Sequence, residues 1–310
     1  MTFSPVPFFG TGDRKEERKM GHSFEGIYPA LLTPFTKSGA INTDALKALI
    51  EWNIKKGVAG FYVGGSTAEA FLLTEEERNA VYKIVAKAAK GKVKLIAHIG
   101  AISTEQAIRF GKVAKSLGYD AISAIAPFYY KFSFEQIKKH YFDIVGAVDM
   151  PMIIYNFPNF SGVNLTVEQV AQFFCDDRFI GIKHTSNDYF ALEQFKSNFP
   201  EKVVFNGFDE MFLSGLSMGA DGGIGSTYNF MAEKFIQIQK YFHEKKIDEA
   251  LTVQKEANRI IKALCKVGVM EGEKEVLNQL GFDFGTARAP FSTLTEEQKK
   301  FLKKEITDKL

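Results

Sequence analysis

The side chain with the most reactive placement in the sequence follows an apolar run. In FIGIKHTSND, residues 179–188, four uncharged residues lead directly into Lys183. A run without polar alternation is typical of a strand buried on both faces, so we expect the amine to be desolvated. Desolvation disfavours the ammonium form, and a neutral amine can condense with a ketone to give a Schiff base. The alternative is a structural lysine that reaches solvent or pairs with a carboxylate.

Tyr155 lies in the preceding apolar run, MIIYNF at residues 152–157. Consecutive strands of a parallel sheet are commonly neighbours, so we expect this tyrosine beside Lys183. Its phenol could then relay protons during a reaction. A core aromatic residue whose hydroxyl finds a partner is the alternative interpretation.

The segment YVGGSTAEAF, residues 62–71, has the composition of an anion-binding turn. Gly64 and Gly65 allow a ligand to approach the backbone closely. The hydroxyls and amides of Ser66 and Thr67 could then hold a small carboxylate. An ordinary turn between strand and helix is the alternative, and we expect Glu69 to support the loop rather than to react.

The pair Asp209 and Glu210 lies at a predicted helix start, where acidic residues interact favourably with the helix dipole. A functional interpretation is hydrogen bonding to the hydroxyls of a polyol. No third carboxylate or histidine accompanies the pair at metal-ligand spacing, so we expect no metal site. The glycine-rich GADGGIGS, residues 219–226, is either a phosphate-binding loop or a closely packed strand. We expect His98 and His184 to be structural or to support the residues that contact a ligand, since no Ser–His–acid arrangement is visible.

Eight short apolar runs alternate with amphipathic, capped segments and must position these side chains. Capping boxes are expected at Thr74, Ser103, Ser133, Thr166 and Thr295. Alternation of this kind predicts a parallel sheet with crossover helices, and eight strands predict an α/β fold of the (β/α)8 TIM barrel type. An open doubly wound sheet is the alternative, but no GxGxxG or Walker A motif opens a helix. The strand runs are 27–33, 58–65, 93–100, 119–127, 152–157, 179–185, 202–208 and 219–226.

The pattern becomes helical after residue 230, with helices expected at 230–242, 247–268, 272–280 and 295–308. We therefore predict a barrel domain over 24–245 and a C-terminal α-helical extension over 246–310. Residues 1–23, with Pro, Gly and mixed charge, are expected to form a disordered N-terminal tail or extension outside the fold.

Composition narrows the class of function. The 310 residues carry a net charge of +2, so electrostatics supply no argument for nucleic acid or an anionic membrane as a partner. No apolar run approaches the length of a membrane span. Cys175 and Cys265 lie far apart without metal-ligand spacing, which suits a reducing, cytoplasmic compartment. A small-molecule substrate is the partner that remains.

With Lys183, Tyr155 and GGST in place, the chain resembles the dihydrodipicolinate synthase / N-acetylneuraminate lyase family of pyruvate-dependent class I aldolases. The resemblance covers roughly residues 24–290, on GGSTAE, YNFPNFSG, GIKHTS and NGFDEMF…GADGGIGSTYN in the expected order. It implies a cofactor-free enzyme and a homotetramer. The sialic acid lyase branch fits best, because synthases have an arginine where this chain has Phe160. That branch reversibly cleaves N-acetylneuraminate to pyruvate and N-acetylmannosamine. A synthase, another 2-keto-acid aldolase and a non-catalytic sugar-acid sensor remain alternatives.

The resemblance also implies a role for individual residues. Lys183 would form the Schiff base at C2 of the open-chain sugar acid, and Tyr155 would relay protons during cleavage of the C3–C4 bond. Ser66 and Thr67 would hold the carboxylate, and Thr185 would orient the C4 hydroxyl. The residues expected to bind the remaining hydroxyls are Gly207, Asp209, Glu210 and Ser226, and Tyr129 is expected to reach a neighbouring subunit's site.

Two positions depart from the family pattern. Ala68 stands where a glycine is usual, and it would carry a strain cost of about 1 kcal/mol if that position requires a positive φ. Met270 occupies a place where an aromatic residue often lies near the pocket, so packing around the acetamido group is expected to differ.

Overall fold

The structure is a computed structural model that describes residues 24–310. The tail predicted over residues 1–23 lies outside the described residues. Each of the eight predicted strand runs overlaps one short strand, and only β1 begins outside its run, by one residue. They are β1 Gly26–Pro29, β2 Gly60–Val63, β3 Lys94–His98, β4 Ala121–Ile125, β5 Met152–Asn156, β6 Phe179–His184, β7 Val203–Asn206 and β8 Gly222–Gly225.

All eight strands are parallel and pair in the order β1-β8-β7-β6-β5-β4-β3-β2. Two backbone hydrogen bonds join the ends of this order. Ala59 donates to the Ile27 carbonyl and Leu31 donates to the Tyr62 carbonyl, each at 2.9 Å. The sheet therefore closes on itself, which confirms the predicted (β/α)8 barrel.

Alternate strand residues face opposite sides of the barrel wall, which gives two apolar layers. The interior layer contains residues such as Tyr28, Tyr62, Ile153 and Phe205. The outer layer packs Ile27, Val63 and similar residues beneath the helices. Because both faces are covered, the strands are apolar throughout, as expected of a buried parallel sheet.

An irregularity in β6 decides which way Lys183 faces. Pairing with β5 advances by one residue, from Met152 to Ile153, while it advances by two on β6, from Phe179 to Gly181. Ile180 belongs to the interior layer and Ile182 to the outer one. The extra residue is a bulge, and it resets the alternation so that Lys183 follows Gly181 on the interior face.

Helices follow the strands, and four of the five expected capping boxes are present, at Thr74, Ser133, Thr166 and Thr295. The expectation for Ser103 was wrong: it is the N-cap residue, but its side chain makes no capping hydrogen bond. The α-helices within residues 24–310 are α1 Thr43–Lys56, α2 Glu75–Ala89, α3 Thr104–Leu117, α4 Phe134–Val148, α5 Pro158–Ser161, α6 Val167–Phe174, α7 Tyr189–Asn198, α8 Phe212–Ser217, α9 Tyr228–His243, α10 Ile247–Cys265, α11 Val269–Gln279 and α12 Glu296–Glu305.

The four helices expected after residue 230 are α9 to α12, with ends that differ by up to three residues. The boundary predicted between residues 245 and 246 falls in the turn between α9 and α10. α10 to α12 are the helical extension, and this extension contacts the loops that follow several strands. It therefore bears on the geometry of the site.

Candidate active site

Lys183 is buried at the carboxyl end of β6, with 5% of its surface exposed. Its Nζ lies 4.2 Å from the centroid of the Tyr155 ring and 4.6 Å from that of Tyr62. Burial lowers the pKa of this amine to about 7, although the negative charge of Asp209 acts to raise it. A substantial fraction of the amine is therefore neutral near pH 7 and able to attack a carbonyl carbon.

Tyr155 is the direct partner of Lys183 across the β5–β6 ladder, as the sequence predicted. Burial raises the pKa of its phenol far above the usual value, while the nearby hydroxyls of Thr185 and Ser66 act to lower it. The phenol is consequently neutral at physiological pH. It can pass on a proton if a second group accepts its own, but it does not rest as a phenolate.

The loop after β2 brings Ser66 and Thr67 to the same end of the barrel. Gly64 has φ +77°, a left-handed conformation that glycine adopts without strain, and a Cβ there would lie 2.9 Å from the Tyr82 ring. A 3₁₀ turn starts at Ser66, so the amides at its start have no acceptor within the turn. The Ser66 and Thr185 hydroxyls are buried, and neither meets hydrogen-bond geometry with another group in the part of the chain described. This arrangement fits a small anion such as a carboxylate.

The buried side chains of His98 and Arg78 hold the start of this loop through the Gly64 carbonyl. His98 Nε2 accepts from the Ile125 amide at 3.2 Å, so Nδ1 carries the ring proton and donates to the Gly64 carbonyl at 3.0 Å. The Arg78 guanidinium donates to the carbonyls of Gly64, His98 and Gly100. Burial and the Arg78 charge hold the pKa of His98 well below its ordinary value. The predicted structural role of His98 is therefore confirmed.

His184 also has a structural role. Its Nε2 contacts the Asp188 carbonyl at 3.0 Å, and its Nδ1 contacts the Asn156 side-chain amide at 3.1 Å. The two ring nitrogens thus contact the last residue of β5 and the loop that follows β6. No nitrogen remains for a reacting group, which agrees with the prediction.

The helical extension holds the far end of the same loop. Glu69 is buried and forms an ion pair with Lys274 of α11, and its second oxygen accepts from the Arg288 amide at 2.6 Å. Burial lowers the pKa of Lys274 to about 8, with the Glu69 charge opposing the change. The left-handed residue of the turn is Glu69, with φ 57°, and Ala68 has no positive φ. The strain considered for Ala68 is therefore absent, and Glu69 supports the loop as expected.

Asp209 and Glu210 follow β7 in a 3₁₀ turn, and their environments differ. Asp209 is buried, and one of its oxygens accepts from the Thr227 amide at 2.9 Å and the Thr227 hydroxyl at 2.6 Å. Burial raises the pKa of Asp209 to about 6, with these hydrogen bonds opposing the change. Glu210 is exposed. The two carboxyls are adjacent in sequence, but only Asp209 is fixed by hydrogen bonds around its side chain.

Ser226 directly follows β8 and donates a hydrogen bond of 2.6 Å to Oε1 of Glu273. Gly207 and Thr185 are in close contact, since a Cβ added to Gly207 would lie 1.8 Å from Thr185 Oγ1.

Tyr129, in the loop after β4, is 84% exposed with φ 78°. Met270 packs against the hydrophobic core at the start of α11. The predicted contribution of Tyr129 to a neighbouring subunit remains a prediction.

No group of three or more His, Cys, Asp or Glu residues within residues 24–310 could hold a metal ion. A cavity of about 450 Å³ is lined by Phe35, Glu271, Arg288 and their neighbours, away from Lys183. No helix over the described range is long and apolar enough to cross a membrane. The predicted site residues therefore surround the barrel mouth rather than this cavity.

Sequence reasoning missed the charged residues that the helices contribute. Glu273 lies three residues before Val276 and four before Leu277, so it is on the same buried face of its helix. Arg78 is on the same face as the buried Val81 and Tyr82 in the same way. A charged residue within the apolar stripe of an amphipathic helix was the available signal. Three other residues at or behind the site were also missed, and they are Tyr62 of β2, Lys274 of α11 and Arg288, which follows that helix.

The fold and the site define a (β/α)8-barrel protein with a desolvated lysine at the carboxyl ends of its strands. This chain belongs to the dihydrodipicolinate synthetase family, whose model matches residues 23–309. It is 43% identical over 272 residues to the N-acetylneuraminate lyase of Rhizobium meliloti, an alignment that covers 88% of this chain and 91% of that protein.

Solved structures of similar sequence share this fold. CdNal from Clostridium difficile in complex with mannosamine is 40% identical, covers 92% of this chain and 99% of its own, and superposes with a TM-score of 0.90. The N-acetylneuraminate lyase from Fusobacterium nucleatum complexed with pyruvate is 39% identical, covers 93% of this chain and 97% of its own, and has a TM-score of 0.89. Both similarities extend over nearly the whole described fold.

Proposed function

We propose that this protein is a class I aldolase that reversibly cleaves N-acetylneuraminate into pyruvate and N-acetyl-D-mannosamine. The observation that carries the proposal is the neutral-capable amine of Lys183 beside the Tyr155 phenol, in a chain 43% identical to an N-acetylneuraminate lyase. The sugar acid supplies the ketone that such an amine attacks, and no cofactor takes part.

The reaction begins when Lys183 Nζ attacks C2 of the open-chain sugar acid. The adduct takes up one proton from solvent and loses water, which leaves a protonated iminium, and the final hydrolysis returns that proton. The iminium accepts the electron pair of the C3–C4 bond as that bond breaks, and an enamine of pyruvate remains on the lysine. The C4 hydroxyl loses its proton in the same step and becomes the aldehyde of N-acetylmannosamine. Protonation of the enamine at C3, followed by hydrolysis, releases pyruvate and the free amine.

Tyr155 relays the proton of the C4 hydroxyl. Because the raised pKa keeps its phenol neutral, it accepts this proton only while it donates its own to a second acceptor. Thr185, whose hydroxyl lies near that phenol, orients the C4 hydroxyl. Ser66 and Thr67 hold the carboxylate, and the residues assigned to the remaining hydroxyls are Gly207, Asp209, Glu210 and Ser226.

Reductive trapping tests the nucleophile. Borohydride with pyruvate is expected to add one reduced pyruvyl group to the peptide that contains Lys183, and Lys183→Ala is expected to abolish it. Lys202→Ala is a matched control, since Lys202 is also buried and lies over an aromatic ring but directly precedes β7, at the amino end of that strand. Trapping that persists in Lys183→Ala would show that another amine reacts.

The substrate is tested by coupled measurement of pyruvate release from N-acetylneuraminate and by condensation of pyruvate with a panel of aldehydes. Phe160, 63% exposed and packed at 4.2 Å against Phe157, presents an apolar ring where a synthase would bind a second carboxylate. Preference for aspartate semialdehyde would identify a dihydrodipicolinate synthase instead. Tight sialate binding without pyruvate release would identify a sensor.

The proposal includes a cytoplasmic homotetramer. Tyr129 and Tyr130 are exposed aromatic neighbours in the loop after β4, and such residues are enriched at subunit interfaces. Light scattering that gives four times the mass of the chain would support the tetramer, and a monomer at micromolar concentration would contradict it. Cys175 and Cys265 are both free and exposed, which suits a reducing compartment.

A further inference from the structure

The hydroxyl of Ser226 has its only proton committed within the protein. It donates that proton to Glu273 Oε1 over 2.6 Å, across 47 positions of sequence. A serine hydroxyl has one donor hydrogen and two acceptor lone pairs. What Ser226 can offer a ligand at the mouth of the barrel is therefore a lone pair.

The Glu273 carboxyl makes its one hydrogen bond among the described residues to Ser226. It belongs to α11 of the helical extension and is 0% exposed, and its second oxygen, Oε2, makes no hydrogen bond with any described residue. The next residue, Lys274, is paired with Glu69 and faces the loop after β2. One turn of α11 thus contacts two different loops of the site, and Glu273 provides the contact to Ser226.

The protonation of Glu273 is consistent with this environment. Burial raises the pKa of its carboxyl to about 8, with the Ser226 hydrogen bond opposing the change and the charge of Asp209 adding to it. Burial raises this pKa because a carboxylate without a cationic partner is costly to bury. The hydrogen bond from Ser226 to Oε1 favours the ionised form, in which the carboxylate is the acceptor and Ser226 the donor.

We propose that Glu273 is a positioning residue of the sugar-binding site, which fixes Ser226 Oγ as a hydrogen-bond acceptor and so selects a hydrogen-bond donor on the substrate. The donor is a hydroxyl or an amide N–H of the polyhydroxylated chain. This inference rests on the proposed function, because it concerns the sugar end of the same substrate. An ether or carbonyl oxygen at this place would face lone pairs and leave Ser226 unsatisfied, and unpaired polar groups of this kind discriminate strongly between substrates.

A double-mutant cycle tests whether Glu273 acts through Ser226. Glu273→Met keeps the length of the side chain but removes the acceptor, and Ser226→Ala removes the hydroxyl. Each is expected to raise the KM for N-acetylneuraminate roughly tenfold, the size expected for one hydrogen bond. The double variant is expected to be no worse than either single one, since both remove the same interaction.

Two further variants separate this role from a general effect on folding. Glu273→Gln retains an acceptor oxygen without a charge, so its KM for N-acetylneuraminate is expected to lie within about twofold of the wild-type value. Glu271→Met, two residues earlier on α11 at a half-buried acidic position, is the matched control. Borohydride trapping of pyruvate on Lys183 is expected to be equal in all variants, because pyruvate has no sugar chain.

Several results would overturn the inference. They are a wild-type KM in Glu273→Met, multiplicative effects in the double variant, a Glu273→Gln as impaired as Glu273→Met, or parallel loss of pyruvate trapping. Failure of the proposed function is distinguishable from these. In that case the wild-type protein would trap pyruvate but release none from N-acetylneuraminate, and the inference would fall with the substrate assignment.

Discussion

Lys183 and Tyr155 are partners on adjacent parallel strands, and the lysine Nζ lies 4.2 Å from the centroid of the tyrosine ring. The face of the ring therefore helps to desolvate the amine, while the phenol group lies at the edge of the ring. The packing role of Tyr155 and its chemical role are carried by different atoms. The two roles can be separated by substitution.

Tyr155→Phe retains the ring and removes the phenol. We expect Lys183 to keep its lowered pKa, so that borohydride trapping with pyruvate proceeds at close to the wild-type extent. Cleavage of N-acetylneuraminate is expected to fall by about 100-fold or more, the usual contribution of a proton-transfer group. Trapping lost together with cleavage would show that the hydroxyl is needed for formation of the Schiff base.

The lowered pKa of Lys183 predicts a pH dependence for trapping. Since the amine is the reactive form and its pKa is about 7, the neutral fraction rises as pH increases through 7. Between pH 6 and pH 8 it increases from about 9% to about 91%, so the initial trapping rate is expected to rise about tenfold. A lysine with an ordinary pKa would remain below about 1% neutral over this range and give a much lower rate throughout. The measurement is a single-turnover trapping time course with saturating pyruvate.

Gly207→Ala is expected to damage the site selectively. The new Cβ would lie 1.8 Å from Thr185 Oγ1 and 3.0 Å from Thr185 Cα, so the loop after β7 or Thr185 itself must move. A displacement of about 1 Å in an active site can reduce the rate by about 100-fold. Gly146→Ala on α4, where a Cβ would meet nothing within 4 Å, is the control and should retain full activity. Equal kcat/KM values for both variants would contradict the proposed placement of Thr185.

Lys274→Met is expected to destabilise the protein by about 3–5 kcal/mol, because it leaves Glu69 buried without its cationic partner. Urea denaturation measures this change. The double variant Glu69→Gln with Lys274→Met removes both charges and should recover much of the loss. If the double variant is no more stable than Lys274→Met alone, the ion pair is not the cause.

Much of the fold could be predicted from local patterns. Eight apolar runs separated by capped helices predict a parallel sheet, and the carboxyl ends of parallel strands necessarily meet at one end of a barrel. Lys183, Tyr155, Ser66 and Asp209 were therefore predicted to share a site without knowledge of any contact between them. Capping boxes were predicted well because both partners lie within four residues of each other.

Other features depended on contacts between distant segments. The bulge that turns Lys183 inward is a property of the pairing between β5 and β6, and the letters FIGIKH alone do not specify it. The left-handed residue after Ser66 is Glu69 rather than Ala68, since Lys274 and the Arg288 amide hold Glu69 in place from more than 200 positions away.

The sequence by itself determined the class of fold, the strand ends that carry the polar residues and the amine with the best placement for chemistry. These follow from periodicity and composition over short windows. The tertiary structure alone decided how completely Lys183 is desolvated, that Ser226 donates its proton to Glu273 and that the helical extension supports the site. Burial and the direction of a hydrogen bond depend on which groups surround an atom, and that is settled only when segments far apart in the chain have packed together.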